Sequence, residues 1–242
     1  MEQLFDTPRQ EKALDVLPVS VIDIEPQGSR EAQDHGRVSS RSGYSPFPRE
    51  VADLCFEFFM RGRKHVFDPF AGWGERGFAA NKYGVKYTGF DTSPEAIASA
   101  RDKFSVENTH ADSLVDDIPP FDGLVTCPPY WNLEKYSGDG LDKHQTWDGF
   151  LAAYARVMDR CWASAESGSL FCIMVGDWRS KGIYYDLDFH TSAIFKSFGA
   201  TTVDKIVVSR KKTSKIKIML PQCKRLGYTV RVHENLSVFR KP

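Results

Sequence analysis

The stretch His65-Val66-Phe67-Asp68-Pro69-Phe70-Ala71-Gly72-Trp73-Gly74 constrains the fold of this chain more than any other. An apolar run ends in Asp-Pro, turns through two glycines and enters a helical segment, FAANKY. Glycines at such a turn let the backbone bend sharply and let a ligand approach it closely. The strand-then-helix rhythm continues downstream. YTGFD reads as a second strand, and SPEAIASARDKF as a helix with Ser93 as N-cap and Pro94 just inside it. NTHAD reads as a short third strand and FDGLVT as a fourth. A helix over 150–162, a fifth strand GSLFCIMVGD and a helix over 187–198 follow. This alternation predicts an α/β fold with a mostly parallel, doubly wound sheet. TVDKIVVSR and YTVRVHENLSVFR close the chain with no helix expected between them. They predict a C-terminal antiparallel hairpin at one edge, joined by a basic loop.

Ahead of this rhythm, residues 1–45 are rich in Pro, Gly, Ser and charge, with VSVID as their single short strand candidate. They read as an N-terminal arm, and 46–242 as one domain. Pro46-Phe47-Pro48 introduces an amphipathic helix in which Val51, Leu54, Cys55, Phe58 and Phe59 recur at helical spacing. Formal net charge is zero over 242 residues, which argues against a general polyanion binder. The charge is unevenly placed, however. From Thr201 onward there are eleven basic residues and two acidic ones, whereas residues 1–40 hold eight acids and four bases. A positive end suits a phosphate-facing surface.

The five cysteines form no CxxC pair, so no metal site is expected, and their odd number suits a reducing compartment. The polar, acidic start MEQLFDTPRQEKALD lacks the plan of a signal peptide, and no apolar run approaches the ~20 residues of a membrane span. A cytoplasmic protein without membrane contact is expected.

Two carboxylates extend the Gly-rich turn into a site. Asp91 ends the second strand about 20 residues after the turn, where a ribose hydroxyl finds its acceptor. Asp112 follows the third strand, placed to meet an adenine amine. The plain alternative is a glycine turn with two solvated or capping carboxylates. At the end of the fourth strand stands Cys127-Pro128-Pro129-Tyr130-Trp131. Neither proline can donate to a sheet ladder, and their fixed φ makes a stiff protrusion with carbonyls pointing outward. Such carbonyls accept from a base –NH2, and Tyr130 offers a face for stacking the ring.

Taken together, the segments Asp68–Gly74, Cys127–Tyr130, SPFPREVADLCFEFF and TCPPYWNLEKY resemble the DNA amino-methyltransferases, which make N6-methyladenine or N4-methylcytosine. Their cofactor motif reads D-P-F-x-G-x-G and their catalytic motif Asp, Asn or Ser before Pro-Pro-Tyr. Here the cofactor motif comes first, and the likeness covers roughly residues 44–240. The resemblance implies a Rossmann-like methyltransferase fold and S-adenosylmethionine as methyl donor. It implies cofactor contacts from Asp68, Pro69, Phe70, Gly72, Gly74, Asp91 and Asp112, with Pro46 and Phe47 covering the methionine end. It also implies catalysis by Cys127, Pro128, Pro129 and Tyr130 on a base flipped from its stack. The amine donates to position 127 and to the Pro128 carbonyl, and its lone pair is aimed at the sulfonium methyl.

Cys127 departs from the family pattern, since a thiol is a weak acceptor where the family places an oxygen. Three alternatives stand beside the amine mechanism: Cys127 as a nucleophile toward C6 of a pyrimidine, as a packing residue, or as the mark of a degenerate fold that binds nucleic acid without catalysis. Trp131 and Asn132 after the motif, with Lys211, Lys212, Lys215 and Arg225 in the basic C-terminal segment, are the expected contacts to substrate. DNA is the expected partner and RNA the alternative. No segment is large enough for a separate recognition domain, so a short target sequence or a specificity-conferring partner protein is expected.

Overall fold

The structure, a computed structural model, describes residues 14–24, 46–131, 140–210 and 215–242. In chain order the elements are β1 (Val21–Asp23), α1 (Arg49–Leu54), β2 (His65–Asp68), α2 (Glu75–Lys82), β3 (Lys86–Asp91), α3 (Pro94–Phe104), β4 (Thr109–His110) and β5 (Phe121–Thr126). They continue with α4 (Trp147–Ser164), β6 (Ala165–Val175), β7 (Trp178–Ser180), β8 (Ile183–Tyr185), α5 (Leu187–Ser197), β9 (Thr201–Ser209), α6 (Lys215–Leu226) and β10 (His233–Arg240). α1 runs on into a π-helical turn, Cys55–Phe59. Eight strands form one sheet in the order β1-β9-β10-β6-β5-β2-β3-β4, and β7 and β8 make a separate two-stranded ribbon. Within the large sheet β10 alone runs antiparallel to its neighbours β6 and β9. This is a Rossmann-like methyltransferase fold.

The sheet is buried on both faces, and β6 shows how. Its Phe171, Ile173 and Val175 enter the core beneath α4 and α5, while Leu170, Cys172 and Met174 enter the opposite core beneath α1 and α2. The period-2 alternation of side chains thus serves two cores, which is why the strand reads as an unbroken apolar run. α4 presents Phe150, Tyr154, Val157, Met158 and Cys161 along one face, and Thr146 caps it by accepting from the Gly149 N–H at 3.1 Å. Ser93 caps α3 in the same way, accepting from Ala96 N at 3.3 Å, with Pro94 next.

The order of β3, β2, β5 and β6 sets the position of the site. The chain moves from β2 outward to β3 and β4, then returns to place β5 on the other side of β2. That reversal opens a crevice at the carboxyl ends of β2 and β5, where ligands of doubly wound sheets bind. The turn into α2 is held tightly there. Gly74 sits at φ +100°, and a Cβ on it would lie 2.7 Å from the Ala100 Cβ on α3. Gly74→Ala therefore combines backbone strain with overpacking, and is expected to cost about 2–4 kcal/mol in urea unfolding.

Two expectations from sequence are corrected, and one element was not anticipated. The segment between β9 and β10 carries α6, where a basic loop was expected; Pro221 lies inside that helix and disguises it, because proline removes a ladder N–H and reads as a breaker. The antiparallel pair does not sit at the sheet edge, because β1 from the N-terminal segment adds outside β9, in parallel. The β7–β8 ribbon was not expected at all. Its turn residues Lys181 and Gly182 both adopt positive φ, the backbone of a two-residue hairpin turn.

Candidate active site

A cavity of about 300 Å³ opens along the carboxyl ends of the strands. Its two halves differ in chemistry. One half lies over β2, β3 and β4 and is lined by Gly72, Asp91, Asp112 and Leu114, with Phe47 as a cover. The Asp91 carboxylate accepts from Gly72 N at 2.7 Å and from Ser93 N at 2.8 Å, so the Gly-rich turn and the start of α3 both fix it. Burial raises its pKa above the usual carboxylate range, against the lowering effect of those two N–H groups. Asp112 accepts from Leu114 N at 2.9 Å, which sets its side chain within the loop after β4.

The other half lies over β5, β6, β10 and the end of β9. Cys127, Pro128, Pro129 and Tyr130 line it, together with Arg210 and Glu234. The Tyr130 hydroxyl donates to Glu234 Oε1 at 2.7 Å, and burial, followed by the Glu234 charge, pushes its pKa well above the ordinary value. Tyr130 thus stays a neutral donor. Its ring meets Trp178 edge-on at 5.7 Å, and Trp178 stacks on Tyr185 at 5.3 Å. The β7–β8 ribbon supplies both of those partners, so it braces the Pro-Pro-Tyr protrusion from behind.

Asp68, first residue of the Asp68–Gly74 turn, does not line the cavity. It is fully buried and accepts from Arg76 Nε at 2.6 Å, Thr126 Oγ1 at 2.6 Å, Tyr87 OH at 2.8 Å and Phe70 N at 3.1 Å. One carboxylate therefore ties together the ends of β2 and β5, Tyr87 near the start of β3, and the start of α2. Burial alone would lower the pKa of Arg76; the Asp68 charge reverses this and raises it, so the guanidinium remains charged. Arg76 also donates to the Phe70 carbonyl and lies 4.8 Å over the Phe47 ring. It reaches the cavity wall, as does Glu75, whose carboxyl burial pushes up in pKa.

The structure brings Pro46, Phe47, Pro69, Phe70, Gly72, Asp91 and Asp112 to the same cavity as the Cys127–Tyr130 motif. Gly74 and Asp68 act behind that wall. Trp131 turns away from it: its indole N–H donates to the His144 carbonyl at 2.6 Å, and its ring packs on Trp147 and Tyr185. Arg225 is exposed on α6. Asn132, Lys211 and Lys212, and the side chain of Lys215, lie outside the described residues. Among the described residues no group of His, Cys, Asp and Glu is arranged to hold a metal, and no helix is long and apolar enough to cross a membrane. The sequence reading missed Arg76 and Glu234 at the cavity, and counted Arg210 only within the basic, phosphate-facing C-terminal segment. Glu234 gave one usable signal, a charged residue inside an apolar strand.

No family model and no curated protein matches the chain. Solved structures do match in fold. The N-methyltransferase NodS from Bradyrhizobium japonicum, solved with S-adenosylhomocysteine, superposes with a TM-score of 0.55 at 13% identity, over 87% of this chain and 95% of NodS. TrmN from Thermus thermophilus superposes at 0.53 with 15% identity, over 81% of this chain and 49% of TrmN, so the match spans about half of that protein. A candidate RNA methyltransferase from Pyrococcus horikoshii gives 0.53 at 12% identity, over 86% of this chain and 91% of its own. At such identities the likeness is one of fold, the class that the topology already defines.

Proposed function

We propose that this chain is an S-adenosylmethionine-dependent methyltransferase that modifies an exocyclic amine of a nucleic-acid base, cytosine N4 or adenine N6, in DNA. Residues 46–242 make up the catalytic domain in this reading, and β1 from the N-terminal segment, first read as part of an arm, joins its sheet beside β9. The observation that carries the reading is the single cavity in which a fixed ribose-type acceptor, Asp91, and the Pro128-Pro129-Tyr130 protrusion meet.

The residues present fit the adenosyl donor. Asp91 faces the cavity with its carboxylate already oriented, to accept from ribose hydroxyls. Gly72 sits at φ +56°, a backbone that favours glycine, and lines the cavity wall. Asp112 stands at the adenine end, and Phe47 over the methionine end. When bound, the donor supplies an electrophilic methyl group. The chain's own residues do the rest. The Pro128 carbonyl accepts from the amine and turns its lone pair out of conjugation. Tyr130 holds the ring. Cys127 replaces the usual oxygen with a sulfur of similar shape, so catalysis rests on positioning more than on polarisation. Asp91, Gly72, Asp112 and Phe47 would hold the donor, which gives up its methyl group and leaves as the neutral thioether, with one amine proton released to solvent.

Asp91→Ala should weaken S-adenosylhomocysteine binding by about 1.5–3 kcal/mol, some tenfold to a hundredfold in Kd by calorimetry, because a charge-assisted pair of bonds is lost. The ionised form makes those bonds and its pKa is raised. Affinity should therefore be full above that raised range and fall as pH drops through it, before ordinary carboxylates protonate.

RNA as substrate is the second reading, favoured by the structural likeness to a candidate RNA methyltransferase. Both readings are tested by incubation with labelled S-adenosylmethionine and either DNA or RNA, followed by nucleoside mass spectrometry. Label in N4-methylcytosine or N6-methyladenine from DNA supports the proposal, and label from RNA alone moves the substrate. Label in 5-methylcytosine would make Cys127 a nucleophile and overturn the amine mechanism.

A further inference from the structure

Three strand ends meet at the acceptor half of the cavity. Arg210 follows directly on β9. Glu234 lies in β10, paired with Val208, and Gly176 follows β6. Glu234 spends both carboxylate oxygens: Oε1 accepts from Tyr130 OH at 2.7 Å, and Oε2 from Arg210 Nε at 2.7 Å and Nη2 at 2.6 Å. Gly176 makes room for this bridge, since a Cβ there would stand 2.9 Å from Glu234 Cγ. The site residue Tyr130 and the guanidinium of Arg210 are thereby held in one rigid unit.

We propose that Arg210, oriented by Glu234, is the specificity-determining residue of this cavity, and that it selects cytosine over adenine. The inference rests on the base-amine reading above and narrows it. Along its pairing edge cytosine presents the N4 amine, then the N3 and O2 acceptors. Adenine presents the N6 amine, one acceptor at N1, and then a C–H. With the amine held at Pro128, the neighbouring edge atoms meet whatever lies beside the motif, and Arg210 lies there with N–H groups beyond the two that Glu234 takes. A planar guanidinium can satisfy two adjacent acceptors at once, whereas on adenine one of its donors faces a C–H. The Glu234 pairing neutralises the charge, so Arg210 acts through the direction of its donors more than through general attraction to phosphate. Glu234 is a positioning residue, acting through Arg210 and Tyr130.

The test uses the whole protein, labelled S-adenosylmethionine, and oligonucleotides of DNA and of RNA that contain cytosine without adenine or adenine without cytosine. Wild type should label N4-methylcytosine with at least about tenfold preference over N6-methyladenine. Arg210→Gln should lower kcat/KM on cytosine by about 10²-fold and reduce that preference. Arg210→Lys keeps the charge but not the fork, and should lose the preference too. Glu234→Gln should shift the cytosine-to-adenine ratio, which a merely structural residue would leave alone. S-adenosylhomocysteine affinity, read in every variant, shows that the cofactor half is intact, and retention of it keeps the comparison valid if stability changes.

Label in N6-methyladenine with cytosine untouched leaves the base-amine reading standing and overturns this selection. Equal losses on both bases in Arg210→Gln, restored by lysine, make Arg210 a phosphate contact and also overturn it. No labelled base in DNA or RNA, with cofactor still bound, removes the selection together with the reading on which it rests.

Discussion

Asp68→Ala should lose about 3–5 kcal/mol of folding stability, the cost of breaking a buried ion pair from one side. The reason lies in how much converges on that carboxylate. Removing it leaves the Arg76 guanidinium buried beside no counter-charge, and takes the acceptor from the hydroxyls of Tyr87 and Thr126 and from Phe70 N–H. In a chain of this size such a loss corresponds to a fall in Tm of about 10 °C or more. Calorimetry or urea unfolding measures it. Cofactor binding should weaken at the same time, because the Gly-rich turn is anchored through Phe70 and Arg76. Asp68→Asn is the informative partner variant: it keeps the shape and part of the hydrogen bonding but not the charge, and should fall between the two. A variant as stable as wild type would mean that Asp68 is not the tie that the geometry describes.

Tyr130→Ala should lower base methylation by on the order of 10²-fold, with S-adenosylhomocysteine affinity little changed. Stacking of a flipped base on an aromatic ring is worth about 1–3 kcal/mol, and the alanine removes that face. It also removes the donor to Glu234, which loosens Arg210. Truncating a core aromatic costs stability as well, about 3–5 kcal/mol, so activity must be read at a temperature well below the variant's transition. Tyr130→Phe separates the two roles. It retains the face and leaves Glu234 Oε1 without its donor, so it should bind the base but discriminate less well between rings. If Tyr130→Ala retained full activity, the ring would be a packing element and the acceptor half of the cavity would need another occupant.

The α/β alternation was legible because each strand–turn–helix unit is local. The Asp68–Gly74 turn, the Ser93-Pro94 cap and the Pro128-Pro129 stop each state their backbone geometry within a few residues. The order of the two motifs along the chain was legible in the same way, and the structure brings both to one crevice. What stayed hidden depends on residues far apart in sequence. Nothing near Asp68 says that its partners are Arg76, Tyr87 and Thr126 and that it faces the core instead of the cavity. The role of Glu234 depends on β10 inserting between β6 and β9, which sets it beside Tyr130, 104 residues earlier. Trp131 looked like a substrate contact by its place after the motif, but the β7–β8 ribbon and α4 offered it a denser apolar setting.

The sequence by itself determined the class of fold and the positions of the turns that make the crevice, because backbone preferences of Gly, Pro and capping residues act at short range. Only the tertiary structure decided which carboxylates face the crevice and which are consumed by buried partners, since a charged group settles where its desolvation is best offset, and those partners arrive from strands that the chain order does not place side by side.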